Sequence, residues 1–280
     1  MARFARSIPP RSRLLRKPSI WWNATTGPGS TAITNVDAGW LDEPSQRETA
    51  SGQFSDTTVP WPITLVPAPG GRPGLAVPVS VPANYQRYEQ EPHHQDFGDG
   101  DGPWFFSQAF YLGPNYPLNY INPSDTYAYQ VIEQMRQDST VGSPVVAFEA
   151  RNGGLQLSGG NNVNTNSPSA WSYGQTLAAL ATQTWYALVY AMNFSATAGA
   201  STLNVWLNGT QVLANFTIPP PTVIAGTGNG RTLRKMGIYH KSDSPAATLW
   251  QAGAAFGPTS ASVDPALPLN IPAHRGQMLM

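Results

Sequence analysis

Leu203 to Phe216 reads LNVWLNGTQVLANF. Two alternating runs flank Asn208-Gly209, and Asn-Gly best tolerates the positive φ angles of a type I′ turn, so the stretch predicts a β-hairpin. Runs of the same kind recur from Pro60 onward: ITLVPA, GLAVPVSV, WFFSQAFYL, YAYQVIEQM, PVVAFEA, GLQLSG, TWYALVYAMNF and LRKMGIYHK. Short strands at this spacing predict an all-β fold, a β-sandwich or jelly roll. The composition agrees, because 27 prolines, 26 glycines and only 11% charged residues suit strands and turns better than helices. SYGQTLAALA, from Ser172 to Ala181, is the single segment that reads as a short helix.

The ends read differently. Residues 1–55 contain prolines and Trp21, Trp22 and Trp40 but no sustained period, which predicts an extended arm before a domain at 56–257 and a Pro-rich tail at 258–280. Net charge is zero but uneven: Arg3, Arg6, Arg11, Arg13, Arg16 and Lys17 all precede the first acidic residue, Asp37. An arm this basic suits docking on an acidic protein surface. It suits nucleic acid less, since no folded reader accompanies it and the domain is neutral. From Asn152 to Gly230 no side chain is charged. Such a span obtains its solubility from amides and hydroxyls, as carbohydrate-contacting or protein-covered surfaces do.

Zero cysteines exclude disulfides, thiolate catalysis and cysteine zinc sites. MARFARSIPPRSRLLRKPSI lacks the apolar run of a secretory signal, and no segment is long and apolar enough to span a bilayer. The expectation is a soluble protein with no membrane insertion, in which the N-x-[ST] sequons at Asn23, Asn193, Asn208 and Asn215 are turn and strand residues. EPHHQDFGDGDG, with His93, His94, Asp96, Asp99 and Asp101, invites a metal reading. Adjacent histidines point apart on a strand and the acidic residues lack the full calcium-loop pattern, so a solvated loop is preferred and no cofactor is expected; Ca2+ is the ion such a loop would favour.

Three strand-like stretches carry polar pairs at even spacing, hence on one face each: Arg87 and Glu89 in YQRYEQE, Gln134 and Arg136 in VIEQMRQ, Lys235 and Tyr239 in LRKMGIYHK. On the last, Arg234, Met236, Ile238 and His240 share the other face. A curved sheet could gather the pairs into a groove that follows a sugar chain, with Trp104, Tyr85, Trp171 and Trp206 stacking on pyranose rings. The residues alone leave two plainer readings open: Arg87 and Glu89 as cross-strand salt-bridge partners, and Lys235 and Tyr239 as ordinary sheet surface.

The order of these pieces resembles the jelly-roll polysaccharide lyases, the concanavalin-A-like group that includes alginate lyases and heparin-lyase-like proteins. That group carries an R-x-E motif, then Q-x-H, then Y-x-K-x-G-x-Y. RYEQE resembles the first, EQMRQ the second and LRKMGIYHK the third, within a resemblance running from Pro60 to Gly257. It implies β-elimination on uronic-acid chains, in which a base removes the proton beside the carboxylate, polar groups neutralise that carboxylate and an acid protonates the departing oxygen. It also implies roles: Arg87 and Gln134 on the carboxylate, Glu89 in the substrate groove, Tyr239 as acid or base, Lys235 in support. Two positions depart. Arg136 stands where the group has histidine and Leu233 where it has the first tyrosine, and a guanidinium cannot serve as a base. On this reading Arg136→His would restore the missing base.

The expectation is therefore a glycan-binding, lyase-like jelly roll with a degenerate catalytic site, the alternative being an active lyase. Extended ends around a compact β domain also resemble virion proteins of tailed phages, such as tail-tip, fibre or decoration components. That resemblance implies a protein made in the host cytoplasm and located in the virion. Its partners would be other virion proteins bound through the arm and a cell-surface glycan, in a homo-oligomer or larger assembly.

Overall fold

The computed structural model describes residues 19–22, 32–33, 46–49, 63–64, 66–72, 75–83, 85–90, 97–120, 130–137, 144–160, 171–223, 232–240, 244–257 and 260. Among them are seventeen strands and no α-helix. In chain order these are β1 (Ser19–Trp22), β2 (Ala32–Ile33), β3 (Gln46–Thr49), β4 (Ile63–Thr64), β5 (Val66–Pro67), β6 (Leu75–Val81), β7 (Tyr85–Gln90), β8 (Trp104–Leu112) and β9 (Gln130–Gln137). They continue as β10 (Val146–Arg151), β11 (Gly154–Gly160), β12 (Trp171–Ala179), β13 (Trp185–Met192), β14 (Ser201–Leu207), β15 (Thr210–Ile218), β16 (Thr232–His240) and β17 (Ala247–Gly257).

Two antiparallel sheets form a jelly-roll sandwich. One has the order β15-β14-β13-β8-β17-β6-β5, with β1 also paired to β17; the other has the order β12-β11-β10-β9-β16-β7-β3. The expected hairpin is β14–β15, with Leu207 opposite Thr210 and the turn residues Asn208 and Gly209 at φ 51° and 79°. A second Asn-Gly turn, Asn152-Gly153 at φ 50° and 72°, joins β10 to β11. Both lie in the left-handed region that this dipeptide tolerates.

One expectation needs revision. Ser172–Ala181 is not a helix: it falls in β12 and the turn after it, with Ser158 opposite Gly174 and Leu157 opposite Gln175. Ten residues with a glycine near the start make a marginal helix, and pairing along β11 satisfies the same backbone groups. Within residues 1–55, β1 pairs with β17 and β3 pairs with β7.

The core lies between the sheets. Phe106, Phe110 and Leu112 of β8 and Leu188, Tyr190 and Met192 of β13 meet Ile132 and Met135 of β9, Phe148 of β10, Leu155 and Leu157 of β11, and Met236 and Ile238 of β16. Each such side chain contributes about 1.5–3 kcal/mol on burial. Phe97 stacks on Phe194 at 4.5 Å and meets Phe106 edge-on at 5.2 Å, closing one end.

An ion pair sits in this apolar interior. Glu133 of β9 and Arg234 of β16 are both fully buried, with Nε to Oε1 at 2.6 Å. Gln108 Nε2 and Tyr190 Oη donate to the same carboxylate at 2.5 Å each, Arg234 Nη2 donates to the Ser107 carbonyl at 3.0 Å, and Gln251 Nε2 donates to Gln108 Oε1 at 3.0 Å. Burial, the largest single influence, would lower the Arg234 pKa, and the Glu133 carboxylate and Tyr190 phenol together outweigh it and raise it. A charge this deep persists only when paired and hydrogen-bonded. The pair ties β9 and β16 to the opposite sheet. Its two members directly precede Gln134 and Lys235, whose side chains take the opposite face.

Candidate functional site

The three strands predicted to carry the polar pairs are neighbours, in the order β9-β16-β7. Arg87 is opposite Tyr239, Glu89 opposite Gly237, Gln134 opposite Lys235 and Arg136 opposite Leu233. Directly opposed residues share a face, so all six candidates belong to the sheet face turned away from the core. The Arg87 side chain is outside the described residues.

Gly237 makes the centre of this face possible. Gln134 Nε2 of β9 donates to Glu89 Oε1 of β7 across the intervening strand β16, where the residue level with Glu89 is Gly237. Two outer strands of three are about 10 Å apart, so their long side chains meet only if the middle strand presents no side chain between them. Gly237 also has φ 146°, open to glycine at little cost.

Burial differs from an open groove. Glu89 is 3% exposed, Gln134 2% and Lys235 5%, whereas Arg136 and Tyr239 are half-buried. The face therefore has a closed polar floor and two partly accessible residues. These two are far apart: Arg136 is level with Leu233, six residues from Tyr239 on β16, on the order of 20 Å along a strand.

The sequence reading missed what lies beside Tyr239. Its row continues through Val131 on β9 to Glu149 on β10 and Gln156 on β11. Glu149 is fully buried and accepts from Gln130 N at 3.2 Å, from Arg151 Nε at 2.9 Å and from Ser158 Oγ. Burial first and the Glu149 charge second push the Tyr116 phenol well above the ordinary tyrosine range. The missed signal was the alternation in VAFEAR, which puts Glu149 and Arg151 on one face of β10.

The proposed stacking aromatics separate. Trp104 packs on the core against Phe97 at 5.8 Å and Phe256 at 5.7 Å, and Trp206 belongs to β14 of the other sheet, so neither lines this face. Tyr85 and Trp171 start β7 and β12, and their side chains are outside the described residues. In the acidic loop, Asp101 Oδ2 accepts from Gly98 N and Asp99 Oδ1 from Ala196 N, each at 2.8 Å. Those two carboxylates hold the loop itself. His93, His94 and Asp96 are outside the described residues.

The fold is a two-sheet antiparallel jelly roll, with cationic, carboxylate, amide and phenol residues on neighbouring strands of one sheet. Residues 63–253 match the polysaccharide lyase family model, more than half of the chain, and the chain belongs to that family. Among solved structures, an endo-β-1,4-glucuronan lyase from the fungus Trichoderma reesei is similar at TM-score 0.51 and 15% identity, over 88% of this chain and 99% of that one. The alginate lyase AlyC3 is similar at TM-score 0.50 and 12% identity, over 80% and 97%. At these identities the likeness is one of fold. No curated protein matches the chain.

Proposed function

We propose that the face of β7, β16 and β9 binds a uronic-acid polysaccharide without efficient turnover. The observation that carries this is the register: three separate weak motifs fall on adjacent strands, with Arg87 beside Tyr239, Glu89 beside Gly237 and Gln134 beside Lys235. The uronate carboxylates are bound by Arg87 and Arg136, over the buried floor that Lys235, Gln134 and Glu89 form. Guanidinium and ammonium groups hold a carboxylate by charge-assisted hydrogen bonds. Elimination also needs a base, and Arg136 in the histidine position cannot accept the proton and lies on the order of 20 Å from Tyr239 along the strands.

A second reading, an active lyase, is favoured by one observation: Tyr239 is partly accessible and in register with a cation, Arg87. Tyr239 would then be both base and acid. Glucuronan, alginate and heparin, incubated with the unmodified protein, separate the readings. Binding without unsaturated chain ends supports the binder; unsaturated ends that vanish in Tyr239→Phe establish the lyase; no binding to any of the three overturns both.

The same proposal places the protein in a tailed-phage virion, as a tail-tip, fibre or decoration component within a larger assembly. Six cations ahead of Asp37 support docking of the segment 1–55 on an acidic neighbour, with the domain at 56–257 facing a cell-surface glycan. Copurification with a phage particle tests it, and a protein found only free of particles would count against it.

A further inference from the structure

We propose a second carbohydrate site, for a neutral glycan, on the outer face of β14 and β15 around Trp206. Trp206 and Phe105 of β8 stack with ring centroids 6.5 Å apart and planes at 28°, closing over Val189 of β13, which is fully buried away from the main core. Trp206 itself is half-buried, so one indole face is pinned and part of the ring remains accessible. A plate held in place loses little conformational entropy when a sugar ring settles on it.

The flanking groups are amides. Gln211, exposed, is directly opposite Trp206 across the hairpin, and Asn204 is two residues along the same face. Asn215 N at 2.9 Å and Gln211 Nε2 at 3.4 Å both donate to Asn204 Oδ1. That orients the amide, and its Nδ2 donors are not used among the described residues. An apolar plate with oriented amide donors matches a pyranose, which offers an apolar ring face bordered by hydroxyls.

Charge identifies the ligand class. Trp206, Asn204 and Gln211 lie inside the span from Asn152 to Gly230, which has no charged side chain, and the remaining ring, Phe105, is apolar, so these residues offer an acidic polysaccharide no counter-charge. A protein partner would need a wider apolar centre than one stacked pair among amides and hydroxyls. A neutral hexose or pentose chain needs neither. The site is independent of the proposed uronate face, which belongs to the other sheet.

Calorimetric titration of the full chain with cellohexaose, mannohexaose and xylohexaose tests this. At least one should bind, and Trp206→Ala should weaken it by about tenfold or more. Gln211→Ala, at an exposed position where folding is not at stake, should weaken it several-fold, and excess polyglucuronate should not displace it. No binding by any of the three, binding indifferent to both substitutions, or displacement by polyglucuronate would overturn the site.

Discussion

Tyr116 and Tyr190 are both buried phenols whose pKa values are raised by burial first and a carboxylate second, yet their hydroxyls differ. Tyr190 Oη donates to Glu133 at 2.5 Å, whereas Tyr116 Oη has no hydrogen-bond partner among the described residues. Tyr190→Phe should cost about 1.5–3 kcal/mol, the worth of a hydrogen bond to a charged group, and Tyr116→Phe should stabilise by about 1 kcal/mol by removing an orphaned polar atom. Denaturant midpoints at neutral pH distinguish the two. Their pH dependence has one sign. Below the ordinary tyrosine pKa both phenols are protonated in folded and unfolded chains. Above about 10 the unfolded chain releases protons that the native one keeps, so stability falls by about 1.4 kcal/mol per pH unit for each tyrosine. Each Phe variant should flatten that alkaline slope. Arg136→His belongs at this scale as well. An imidazole level with Leu233 would be on the order of 20 Å from Tyr239 along β16, so no unsaturated ends should appear on uronate polymers, against the expectation that the substitution restores a base.

Among the elements, β9 and β16 carry the most information. Glu133 and Arg234 each occur on the apolar face of a strand, beside Met135 and beside Met236 and Ile238, and one buried charge of each sign on neighbouring strands is a pair. The place of Arg234 on the apolar face was legible in the alternation of LRKMGIYHK; its partner Glu133, on a strand distant in sequence, was not. The Glu89–Gln134 bond was not, because it depends on two strands distant in sequence meeting over Gly237. Nor was the sheet to which Trp104 or Trp206 belongs, since strand order is not written in any local run. The Asn208-Gly209 hairpin was legible because its determinants are adjacent, and β12 was misread because its partner, β11, is what makes it a strand. Two measurements follow. Glu133→Leu or Arg234→Met alone should cost about 3–5 kcal/mol, and the double variant less than either, because the single changes strand a buried charge. Gly237→Ala should cost about 1–3 kcal/mol through its positive φ and should also weaken uronate binding; unchanged stability would remove Gly237 from the role given to it.

At the scale of the molecule, charge divides the surface. The face of β7, β16 and β9 carries cations, and β12 to β15 carry none. Binding of glucuronan should therefore weaken as salt rises from ~0.05 to ~0.5 M, because screening shortens the reach of exposed charges, while binding of a neutral hexasaccharide should not change. The strands before the family-matched region matter here too. β3 pairs with β7 at Gln46–Glu89 and Glu48–Arg87, while the described core begins at Ala76. A chain lacking residues 1–55 should still unfold cooperatively, at a lower midpoint, and bind glucuronan more weakly because β7 loses its outer neighbour. Retention of full affinity would show that β3 is dispensable to the site.

The paired Asn-Gly turns also make the protein age chemically. A glycine nitrogen, unshielded by a side chain, attacks the preceding asparagine's side-chain carbonyl and expels ammonia, and water then opens the succinimide to aspartate or isoaspartate. Asn208 is guarded against this while folded, because the Ala187 backbone N–H binds its Oδ1 at 2.8 Å and tethers the side chain to β13. Asn152 is exposed. Of these two turns, Asn152 should gather isoaspartate first in folded protein, and both should gather it only in chains that have spent time unfolded, where it would introduce negative charge into the uncharged span from Asn152 to Gly230. The ratio of the two lesions thus records how long a preparation has been out of its native state.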